Sequence, residues 1–187
     1  SDLKKFNDLN IKKFSDKKIK INNSKIFFKD NQNQIITITT LDKAELFFDI
    51  NRLSNIFSLK GEIFATPFIF DFKSYLDSDK NKEINFKAKN LKLNILNKSY
   101  KDKNESIKGI NNISFLNMII NTQYESKDKI VIFKSENSMT KNSKYTYKGK
   151  LSINPFDLNL NIDLGNYEIF KIFNINSILN EFIKSGV

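Results

Sequence analysis

The stretch KGKLSINPFDLNLNIDL, residues 148–164, carries the main clue to the fold. Gly149, Leu151 and Ile153 share one parity; Asn154-Pro155 interrupts; Phe156, Leu158, Leu160, Ile162 and Leu164 resume on the other. The residues between them, Asp157, Asn159, Asn161 and Asp163, are polar without exception. Period two marks a strand with one apolar and one solvated face. Such strands belong to antiparallel sheets rather than to doubly wound α/β folds.

The same pattern extends outward. Residues 82–96 place Ile84, Phe86 and Ala88 on one parity and Leu91, Leu93 and Ile95 on the other. A parity slip inside one long run predicts a β-bulge. Gly61 and Ile63, then Phe68, Phe70 and Phe72, flank Thr66-Pro67, where a bend or bulge is expected. Residues 18–28 and 34–40 predict a hairpin around the polar turn 30–33. Residues 43–49, 109–125, 129–135 and 143–153 supply further strands. Residues 51–57 and 167–182 carry helical spacing, so one or two short helices are expected. The expected class is mainly β, a long-stranded, curved antiparallel sheet with strands of ~15 residues rather than the usual ~5–6.

Composition bounds the chemistry. The chain has 187 residues, enough for one domain, with Lys+Arg 31 against Asp+Glu 21. Only Arg52 is an arginine. Lys, Asn, Ile and Phe dominate, and their AT-rich codons point to a low-GC genome, so the net charge of +10 is discounted as a sign of function. There is no His and no Cys, which removes Ser-His-Asp chemistry, thiolate nucleophiles and zinc or iron–sulfur sites built on them. Asp157 and Asp163 lie about 20 Å apart on one strand, too far for a glycosidase pair. The expectation is no enzyme, no cofactor and no metal. Lysines 4, 5, 12, 13, 17, 18 and 20 raise a nucleic-acid-binding β domain, but the Phe residues fall at buried-type positions away from them, and nucleic acid is not the expected partner. A closed β-sandwich used as a protein-interaction module is the alternative.

Two segments carry a resemblance. Gly149, Leu151, Pro155, Phe156, Leu158, Leu160 and Leu179 follow a "G-x-L-x-x-x-P-F-x-L-x-L" strand pair and a short "L-L" helix. Gly61, Ile63, Pro67 and Phe68 repeat the first part of it. The pattern resembles the AsmA-like family of bacterial envelope proteins. That resemblance implies a β-groove whose apolar inside holds phospholipid acyl chains. It also implies a periplasmic location, an inner-membrane anchor outside this chain, and a part in lipid transport or outer-membrane assembly alongside other envelope proteins. Residues 1–187 are then expected to form one groove fragment of a longer protein, with 1–16 poorly ordered. The groove candidates are Ile84, Phe86, Ala88, Leu91, Leu93, Ile95, Leu151, Ile153, Phe156, Leu158, Leu160 and Ile162.

Overall fold

A computed structural model describes residues 13–76, 81–140 and 143–164. These residues form twelve strands: β1 (Ile19–Lys29), β2 (Ile35–Asp49), β3 (Ser54–Ile63), β4 (Thr66–Tyr75), β5 (Lys82–Ala88), β6 (Leu93–Lys101), β7 (Ile107–Phe115), β8 (Met118–Lys127), β9 (Ile130–Ser135), β10 (Ser138–Thr140), β11 (Ser143–Ile153) and β12 (Phe156–Asp163). All lie in one sheet of order β1-β2-β3-β4-β5-β6-β7-β8-β10-β11-β12. Strand β9 pairs with β8 and β11 and so shares one position with β10. Every pairing is antiparallel and joins sequence neighbours, apart from the break between β9 and β10.

That break is a polar patch in the ladder. Opposite Asn121, the strand bulges at Glu136 and Asn137, the latter at φ 53°. The Ser138 hydroxyl takes the place of a ladder group: it accepts from the Asn121 N–H at 2.9 Å and donates to its carbonyl at 3.1 Å.

The mainly β class holds, and the pattern of long alternating runs is explained differently from the expectation. The parity slips are not bulges but chain reversals. Ile63 pairs with Thr66 across Phe64-Ala65, Ala88 with Leu93 across residues 89–92, and Ile153 with Phe156 across Asn154-Pro155. A loop of even length carries an odd-numbered apolar face onto even numbers, which in sequence looks like a slip within one strand. Residues 109–125 divide the same way, with Phe115 paired to Met118 across Leu116-Asn117. Among the described residues only β2 reaches 15 residues. No helix occurs among the described residues. The helix expected at 51–57 is a turn followed by the start of β3, and the one expected at 167–182 lies outside the described residues. Leu53, at φ 47°, turns the chain there.

Burial is sparse for a chain this rich in Ile and Phe. Among the described residues the buried apolar ones are Leu41, Ala44, Phe48 and Ala88. Three of them sit on β2, and residues 13–16 pack against the Phe48 end of that strand. The Phe14 N–H donates to Asn55 Oδ1 at 2.8 Å, the Phe48 N–H donates to the Ser15 carbonyl at 2.9 Å, and the Lys13 ammonium stands 4.3 Å from the Phe48 ring centre. Elsewhere neither face is covered by a second layer among the described residues.

Candidate functional site

Directly paired residues of an antiparallel ladder project from the same face. Following the register from strand to strand therefore sorts the whole sheet into two faces. One face collects Leu46 and Phe48; Phe57 and Leu59; Phe68, Phe70 and Phe72; Ile84, Phe86 and Ala88; Leu93 and Ile95; Ile113 and Phe115; Met118 and Ile120; Val131 and Phe133; Leu151 and Ile153; and Phe156, Leu158, Leu160 and Ile162. The opposite face carries Lys60, Asp71, Lys73, Asn85, Lys87, Lys98, Lys134, Lys148, Lys150 and the polar set of β12, with Ile56, Ile69, Leu96, Ile110 and Ile132 scattered among them. Eleven of the twelve groove candidates project from the apolar face. Leu91 does not belong to a strand: it sits half-buried in the turn between β5 and β6.

Aromatic contacts knit this face across strands. Phe57 and Phe70 meet edge-on at 6.0 Å, and Phe68 stacks on Phe86 at 5.9 Å. Phe133 lies 6.2 Å from Tyr147, which stacks on Tyr145 at 6.2 Å. Such pairs prefer these offset and edge-to-face geometries. Two glycines make room for the rings. A Cβ on Gly149 would stand 2.6 Å from the Phe133 ring, and one on Gly109 would stand 2.6 Å from the Tyr124 ring.

Over β8–β12 the apolar face encloses a hollow of about 420 Å³, within the range of ligand sites. Met118 and Ile120 form one wall, Phe133, Tyr145 and Tyr147 the floor, and Leu158, Leu160, Ile162 and Leu164 the other wall. Residues of β8 and β12, which are not adjacent strands, can face one hollow only if the sheet is concave here. Leu158, Leu160 and Ile162 are 49%, 45% and 50% exposed, so the wall stands open to solvent. Burial pushes the Tyr145 phenol above its ordinary value, with the neighbouring Tyr147 adding to the shift.

A polar band crosses the same face in mid-sheet. The Tyr124 hydroxyl lies 3.1 Å from both amide atoms of Asn97, donating to Oδ1 and accepting from Nδ2. The Thr122 and Tyr147 hydroxyls share a short hydrogen bond. Asn97 also pairs with Asn111 in the ladder. These groups satisfy one another and leave the apolar surface on either side of them unbroken along the strands.

A larger hollow of about 750 Å³ lies along the row Lys82, Ser99, Gly109, Tyr124 and Phe133. It is flanked by residues of the opposite parity, including Glu83, Lys98, Lys108 and Glu125. Its charges pair locally, Lys98 with Glu83 at 3.8 Å and Lys108 with Glu125 at 3.9 Å. No group of three or more metal-ligating side chains occurs among the described residues.

The candidates named from sequence cover β5, β6, β11 and β12 but supply only Leu158, Leu160 and Ile162 of the hollow's lining. Met118, Ile120, Phe133, Tyr145 and Tyr147 carry the same alternation, and only the strand order shows that they meet β12 across the concavity. No protein-family model, curated protein or solved structure matches the chain.

Proposed function

We propose that the apolar face binds the acyl chains of phospholipid and shields them from water, as a non-catalytic segment of an AsmA-like envelope protein in the periplasm. The observation that carries this reading is one open apolar face that runs from β4 to β12, crossed by a single polar band whose groups hydrogen-bond one another, with no second layer on it among the described residues. Exposed apolar surface on this scale needs an occupant. An acyl chain suits it because it is long, uniformly apolar and indifferent to register. Each methylene leaving water contributes about 0.8 kcal/mol, so a chain gains affinity from length alone. The open side lets a polar headgroup stay in water while the tail lies on the sheet. The strand pair around Pro155, with its Gly149 and Phe156 pattern, supports the family reading, and the Gly61 to Phe68 copy falls on the equivalent hairpin of β3 and β4.

The test is mass spectrometry of lipids that co-purify with the protein from membranes under mild conditions, compared between wild type and Leu160→Asp. The expected result is phospholipid bound to the wild type and reduced in the variant, with both folded by circular dichroism. The wild type emerging free of lipid contradicts the reading. So does unfolding of Leu160→Asp, because a closed core would bury the carboxylate at a cost of several kcal/mol.

A further inference from the structure

The two edges of the sheet differ in chemistry. Among the described residues β1 pairs only with β2, and β12 only with β11. On the solvated face β1 carries Lys20 and Lys25, whereas β12 carries Asp157, Asn159, Asn161 and Asp163 and no lysine. Natural edge strands are usually blunted by lysine, proline or a bulge. Strand β1 has lysines and a kink at Asn23, φ 50°. Strand β12 has none of these within its eight residues.

The direction of the free backbone groups on β12 follows from its partner. The Ile153 N–H donates to the Lys129 carbonyl, on the β9 side. Backbone groups alternate in direction along a strand, so Ser152, Lys150, Lys148 and Thr146 aim at β12 and bond Asp157, Asn159, Asn161 and Asp163. The N–H and C=O groups of Leu158, Leu160 and Ile162 therefore point out of the open edge.

We infer that β12 accepts, by strand addition, the β1 edge of a second copy of this chain. Pairing of like edges, β12 with β12 or β1 with β1, sets acid against acid or lysine against lysine. Pairing of β12 with β1 sets Asp157 beside a face carrying Lys20 and Lys25. It also sets Leu158, Leu160 and Ile162 beside Ile19, Ile21 and Ile26, so the apolar face runs on unbroken. Both strands run away from the sheet end that holds the Asp128-Lys129 turn. With the apolar faces on one side, the second β1 therefore lies parallel to β12. A head-to-tail contact of this kind does not close on itself and builds open chains. The inference rests on the edges alone and not on what occupies the apolar face.

Sedimentation velocity over a concentration series tests it. The wild type is expected to grow in mass with concentration without stopping at a dimer. Asp157→Lys with Asn161→Lys weakens association about tenfold, the scale that two cross-strand charge pairs carry. Lys20→Glu with Lys25→Glu does the same, and mixing the two variants restores association. Leu160→Pro, which deletes one outward N–H and spares the bonds to β11, gives a folded monomer. A wild type monomeric throughout, or association indifferent to the charge reversals, overturns the inference. Slow amide exchange at Leu158, Leu160 and Ile162 in dilute monomer also overturns it, because the edge would already be covered.

Discussion

Gly149 shows how one missing side chain shapes the binding face. Phe133 lies over it, and the Asn159 carbonyl stands 2.5 Å from where its Cβ would be. One contact is a ring that can rotate, but the other is backbone and cannot. Gly149→Ala is therefore expected to cost about 1–3 kcal/mol in chemical denaturation, through overpacking between β11 and β12. A neutral result contradicts the close approach. Asp102 shapes the loop between β6 and β7. Its carboxylate accepts from the N–H groups of Asn104 and Ser106 at 2.8 Å and 3.1 Å and pairs with the Lys108 ammonium at 2.9 Å. These contacts, the Lys108 bond foremost, hold its pKa down to about 2 from the ordinary 3.8. A depressed carboxylate stabilises the fold above its ordinary value and loses that contribution as pH falls toward the depressed one. Carbon-detected NMR should place the Asp102 titration near 2, and a midpoint at 3.8 contradicts the loop geometry.

At the scale of elements, the reversals decide what the sequence could tell. The alternation of Ile84, Phe86 and Ala88 with polar neighbours was enough to identify strands. The polar turn at 30–33 was legible, but elsewhere the end of a strand was not, because several of the short reversals use residues that are poor turn signals. Phe64 and Ala65 both take positive φ, 49° and 54°, where Asn-Gly would be usual. The Asp128-Lys129 turn does likewise with φ 51° and 65°. Without glycine to mark them, two-residue turns leave only a change of parity, which a bulge would also leave. Phe64 is half exposed, so replacing it removes little packing. Phe64→Asn with Ala65→Gly is expected to stabilise the protein by about 1 kcal/mol, by relieving two left-handed backbone positions. A lowered melting temperature contradicts this.

For the whole molecule, one face was legible and its closure was not. Parity assigned all twelve groove candidates to a common face before any register was known, and the register keeps eleven of them there, with Leu91 in a turn. Strand order, which alternation does not encode, then showed that β8 and β12 share a hollow. The lack of a covering layer among the described residues predicts an uneven cost of truncation along one face. Phe48, buried under residues 13–16, should cost about 3–5 kcal/mol as Phe48→Ala, whereas Leu160→Ala should cost under 1 kcal/mol, since half of that side chain is already in water. Equal costs contradict an open face. The central claim is that this face, and not the other, meets acyl chains. Its most direct measurement places a photoreactive residue at Leu160 or at the adjacent Asn159 and illuminates the protein in phospholipid membranes. The account predicts lipid adducts from position 160 and few or none from position 159; equal labelling at both, or none at 160, contradicts it.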